Sequence, residues 1–285
     1  MTTRKPPANS TLAWQPFPHP AKPYAYTAAA LKKNWPRLHM GDCEPFPSAA
    51  NLKKLVDAHP KLAPSGAIED AATTLQDAWR AYHRGDFAGA VDLGLSAGLL
   101  GVNVANKAAN IYATYLEKDE KKQLDIFLES TRRGEALQAA APKLANAHYF
   151  YAQALGRYSQ GISVAKALAE GHATKVKKAL DTTLKLEPKH ADAHIALGAY
   201  HAEIINKVGG MIGGLTYGAD KKEGVAHYQA ALKLNPGSAI ARIEYANGLV
   251  MMFGKDKLKE ATKLYEDAAA SKPMDAMERL DVEMA

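Results

Sequence analysis

The sequence predicts an all-α protein, an α-solenoid of stacked helical hairpins with inserted segments and a proline-rich N-terminal arm. Three observations predict it. Alanine supplies 54 of the 285 residues, which favours helix over sheet. Apolar side chains recur at steps of three and four along most of the chain, and no alternating stretch long enough for a strand occurs. Phrases that end in proline recur through the second half.

Residues 1–66 read as a basic arm. Nine Lys and Arg stand there against three acids, and the remainder of the chain is balanced, so the arm carries the whole net charge of +6. It also holds most of the fifteen prolines, together with Trp14 and Trp35. Residues 26–34 and 48–58 fit short helices, with Ser48 as the cap of the second. The run from Trp14 to Pro20 should be extended, because a residue before proline is pushed out of the α region. Two roles fit the arm: a strap whose Trp and Phe pack along the helices, or a contact for an acidic partner. Its charge is too dispersed for a nucleic-acid binder. The single cysteine, Cys43, excludes a disulfide scaffold and a multi-cysteine metal site. No run approaches 18 apolar residues, so no membrane span is expected. Arg4 and Lys5 have no apolar stretch behind them, and a cytoplasmic location follows as the expectation.

Residues 67–285 read as helix after helix. Ile68, Ala72, Leu75, Trp79 and Tyr82 make one apolar face, Gly85-Asp86 breaks it, and Phe87, Ala90 and Val91 open the next helix. A further helix covers 104–117, and Asp119 can cap a long one. The helix-ending prolines Pro142, Pro188, Pro236 and Pro273 are 46, 48 and 37 residues apart. The residues after the first three also rhyme, as Tyr151-Ala152, Leu197-Gly198 and Tyr245-Ala246 do.

These phrases resemble the tetratricopeptide repeat (TPR), a helical hairpin of about 34 residues with a large-then-small pair where its helices cross and a closing proline. The resemblance covers residues 67–285, is strongest from 145 to 273, and is weak over 105–142. It implies hairpins that bury their apolar faces only by stacking on neighbours, with Asp275–Met284 as a terminal capping helix. Two hairpins are longer than the standard unit by about 12 and 14 residues, which places inserts near 158–172 and 205–220. At this level the chain also looks similar to the lipoprotein component that accompanies TRAP transporters and to the regulator-of-microtubule-dynamics family. Cys43, however, lacks the apolar stretch that precedes a lipidated cysteine.

The resemblance implies a non-enzymatic scaffold that binds a protein or peptide partner in its concave groove. From the repeat register, Asn146, Tyr149, Gln153, Arg157, Asp192, Glu203 and Asn247 should face that groove. Their mix of amide, acid, base and aromatic groups suits a peptide or a small amphipathic ligand. The alternative is a small-ligand carrier whose inserts close a cavity, with Ile162, Met211, Leu215 and Tyr217 near it. Self-association is a third kind of contact that such an array allows. No cofactor pattern is read. Gly94-Leu95-Ser96-Ala97-Gly98 matches a nucleophile elbow, and His39, Asp42, Cys43 and Glu44 bring four ligand types into six residues, so a hydrolase or metal enzyme is the second alternative. The elbow needs a strand before it, and here it falls inside a helix. His190, His194 and His201 share one helical face, but His148 and His194 occupy equivalent repeat positions, which favours packing over metal binding.

Overall fold

The computed structural model describes residues 14–285. Among these residues there is no strand, and fifteen α-helices follow one another. The arm contributes α1 (Ala28–Leu38) and α2 (Ala49–Ala58). Antiparallel pairs then form from α3 (Ile68–His83) with α4 (Phe87–Ser96), and from α5 (Val102–Tyr115) with α6 (Glu120–Ala140). In the next pair, α7 (Ala145–Gln160) packs on α9 (His172–Leu186), with the short α8 (Val164–Ala169) inserted between them. In the fourth, α10 (Ala191–Val208) packs on α12 (Lys221–Leu234), with α11 (Gly210–Tyr217) inserted. The last pair is α13 (Ala239–Phe253) with α14 (Leu258–Ala269), and α15 (Ala276–Met284) ends the chain. The stretch 105–142, which fits the repeat pattern poorly, still supplies a hairpin.

Local chemistry starts these helices where the sequence places polar caps. Ser48, Asp86, Asp119, Asp220, Ser238 and Asp275 each accept a hydrogen bond from a backbone N–H of the first turn. The large-then-small positions do what stacking requires. Tyr228 is 1 % exposed and lies between Gly198 and Gly248, where an added Cβ would come within 2.7 and 2.6 Å of its ring. The elbow-like segment is explained by packing as well. Gly94 in α4 meets Gly101 backbone to backbone, leaving no room for a Cβ on Gly101. Ser96 ends the helix with its hydroxyl donating to the Leu93 carbonyl oxygen at 2.7 Å. Gly101→Ala should therefore cost about 1–3 kcal/mol of stability. An unchanged urea midpoint in that variant would contradict the close approach.

The described part of the arm and α15 fold back onto the hairpins. Leu31, Trp35, Leu38, Leu52 and Leu62 join the same apolar core as Trp79, Tyr82 and Leu137. Farther back in the arm, Trp14 lies on the Tyr112 ring, with centroids 3.9 Å apart, and Phe17 fills the space beside Gly85, whose φ of +88° only glycine adopts easily. Helix α15 touches α13 and α14, as a capping helix does, and it also reaches α3 at the other end of the array. There His83 Nδ1 lies 2.8 Å from Asp275 Oδ2, and the Tyr82 hydroxyl points at Met277 Sδ. Among the described residues no helix is long and apolar enough to cross a membrane.

Candidate functional site

The arm carries polar side chains into the middle of the helical array. The loop after α1 carries His39, Asp42 and Glu44 into the centre of the fold. Asp42, 1 % exposed, receives Lys107 Nζ from α5 at 2.5 Å on Oδ2 and lies 2.9 Å from His39 Nδ1 on Oδ1. Burial pushes the Asp42 carboxyl up, but Lys107 and His39 together hold it well below the usual carboxylate range. Burial drives His39 down to about 4, so its ring is neutral, stacked on Trp35. Glu44 accepts from Asn103 at 3.1 Å and from Asn146 at 2.5 Å, and burial pushes its carboxyl up to about 7. Cys43 sits at φ 51° with its thiol toward the Lys189 carbonyl oxygen. Of the four clustered residues of the arm, His39 thus pairs with Asp42, while Asp42, Cys43 and Glu44 reach Lys107, Lys189, and Asn103 with Asn146. Among the described residues no three His, Cys, Asp or Glu come together as a metal site. His190 turns to Asn146, whereas His194 and His201 turn to His227.

Beyond the arm, a cavity of about 250 Å³ remains between α5, α7, α10 and α15, with α8 along one side. Leu38, Ile111, Phe150, Leu180, Ile195 and Met277 give it apolar walls. Five of the seven residues expected at the groove line it: Tyr149, Gln153, Arg157, Asp192 and Glu203. Gln153 accepts from Asn110 at 3.0 Å, and Arg157 pairs with Glu244 at 3.0 Å. Asn146 lies buried behind the wall, bonded to Glu44 and His190. Asn247 is engaged elsewhere, accepting from the Tyr265 hydroxyl.

The two inserts lie differently with respect to the cavity. The first lies along the cavity through Val164, Ala167 and Leu168, and Ile162 packs on the core. The second does not close it. After Gly209, at φ +81°, the chain turns outward, and Met211 and Leu215 are 81 % and 86 % exposed. Tyr217 lines a separate shallow depression with Thr216 and Lys177. The physical reason lies in the composition of α11: its glycines provide no side chains to anchor it, and it is held only where Gly213 lies close to Ile204 and Ala219 and where Tyr217 packs on the core.

Sequence reading missed Lys107, Tyr115, Glu278 and Asp281. Tyr115 donates to Asp281, which is 2 % exposed and whose carboxyl burial pushes up to about 8. Burial likewise takes Asp192 up to about 7, with Lys107 opposing the rise. Lys107, the one charged residue in the run from Val102 to Ala113, was the one visible signal.

Comparison with known proteins agrees with this architecture. No family model and no curated protein matches the sequence. Among solved structures, a thermophilic TPR protein from Thermus thermophilus superposes with a TM-score of 0.54 at 16 % identity, covering 75 % of this chain and 97 % of that one. The MamA protein is also similar, with a TM-score of 0.40, 14 % identity, and 70 % and 90 % of the two chains covered. The first of these likenesses, together with the helix order, gives the chain a TPR-like all-α solenoid fold.

Proposed function

We propose that this chain is a non-enzymatic TPR-like scaffold whose binding place is the concave cavity, and that it receives there a small amphipathic group, either free or carried by a partner segment. The observation that supports this most is the division of the concave face. The arm fills the part near α3 and α5, so a long peptide has no continuous trough, while the volume beside α7 and α10 stays open with apolar walls and a few polar groups. Folds of this class serve many ends, so the reading rests on the site and not on the architecture.

Gly156 offers a test, because a side chain added there meets nothing within 4 Å and would enter the cavity. In methyl NMR spectra titrated with n-hexanol, the Ile111, Leu180 and Ile195 signals should shift, and in Gly156→Phe they should stay still. Shifts confined to surface methyls would end this reading.

A second reading, a protein partner held outside the groove, is favoured by α11, whose Met211, Ile212 and Leu215 stand exposed on one short helix.

A further inference from the structure

Building on the binding role proposed above, we infer that the cavity is selective for organic cations, and that Asp192 and Asp281 receive the ammonium or guanidinium end of the ligand while the apolar walls take its hydrocarbon part.

Charge pairing inside the cavity leads to this. Four cations line it, and each already has an acid. Arg37 Nη1 lies 2.8 Å from Glu278 Oε1, and Lys107 Nζ lies 2.5 Å from Asp42 Oδ2. Arg157 holds Glu244 at 3.0 Å, and Lys207 holds Glu203 at 3.4 Å. Two further carboxylates line the same space without a cation among the described residues: Asp192 on α10 and Asp281 on α15. Asp281 is 2 % exposed and gives one oxygen to the Tyr115 hydroxyl, leaving Oδ2 without a hydrogen-bond donor among the described residues. Asp192 makes no side-chain hydrogen bond among them, although its carboxylate is pressed against Gly41 so closely that a Cβ there has no room. Buried acids are ordinarily paired, and these two face a hollow. An anion entering would meet unmatched negative charge. A neutral ligand would leave both acids as they are. A cation would complete the pairing.

The protonation state of the empty cavity agrees. Asp281 faces Tyr115, Asp275, Glu278 and Asp192, and Asp192 faces Lys107, Asp42 and Glu278. Burial raises the two carboxyls to about 8 and about 7, so without a ligand both hold protons in weakly acid solution. An incoming cation stabilises the ionised form and displaces those protons. Its affinity should therefore rise between about pH 6 and about pH 8.5, because fewer protons remain to be displaced.

Calorimetric titration of the full chain with n-hexylamine, n-hexanol and hexanoate tests the inference, and a lysine-containing peptide separates a free amine from a cation carried by a partner. The amine should bind more tightly than the alcohol by about tenfold or more, as a charge-assisted hydrogen bond predicts. Hexanoate should not bind. Asp192→Asn with Asp281→Asn should bring the amine down to the level of the alcohol, and both changes preserve side-chain shape. A dominant response to the peptide assigns the cation to a partner segment, and a dominant response to the amine assigns it to a free ligand. If alcohol or hexanoate binds as well as the amine, the cation inference is overturned and the binding role stands. If the amine, the alcohol, hexanoate and the peptide all fail to bind, both fall.

Discussion

Lys107→Met should lower stability by about 3–5 kcal/mol, because it leaves the Asp42 carboxylate buried without its cation. Lys107 is 5 % exposed and is surrounded by the rings of Trp79 and Tyr82, at 5.9 and 5.4 Å from their centroids. Among the described residues nothing else near Asp42 replaces it: His39 is neutral, and Asp192 and Glu44 are acids. Adding Asp42→Asn to Lys107→Met should recover a large part of the loss, since the uncompensated charge then disappears. Urea denaturation of the two variants measures the difference. Equal stability of the single and double variants would show that the ion pair is not the cause. The pH dependence has a definite sign. Asp42 titrates below its ordinary value, so its contribution is present above the usual carboxylate range and is lost only as the solution becomes strongly acid.

Trp35→Ala should cost about 3–5 kcal/mol and loosen the arm from the array. Trp35 is 5 % exposed, stacks on His39, meets Trp79 edge-on at 5.7 Å, and donates through Nε1 to the Glu44 carbonyl oxygen at 2.7 Å. It thus holds both the helix and the loop that carries Asp42 and Glu44. Limited proteolysis of the variant should cut between residues 28 and 47 well before the hairpins. A loss below about 1 kcal/mol with an unchanged cleavage pattern would mean that the arm's position depends on other contacts.

The helices were legible in the sequence because their signals are local. Ser48 is followed by helix from Ala49 to Ala58, and Gly85-Asp86 separates α3 from α4, with Asp86 as the cap. The two inserts were legible from the spacing of prolines. The fate of the second was not, because Met211 and Leu215 look like core residues until it is known that no neighbour covers them. The polar interior was the least legible part. Lys107 finds Asp42 across 65 positions and His83 finds Asp275 across 192, and neither pair leaves a periodic trace. His39, Asp42 and Glu44 drew attention as a cluster, but their role became visible only once Asn103, Lys107 and Asn146 stood opposite them.

The folded-back arm has a consequence for recognition. A segment covalently joined to the surface it covers acts as a resident competitor, with a local concentration in the millimolar range for a short flexible tether. An outside polypeptide seeking the positions held by Trp35, Asp42 and Glu44 must dislodge that resident before it gains anything. Feeble, indiscriminate attachments are thereby screened out, while the open end near α10 is free of this barrier.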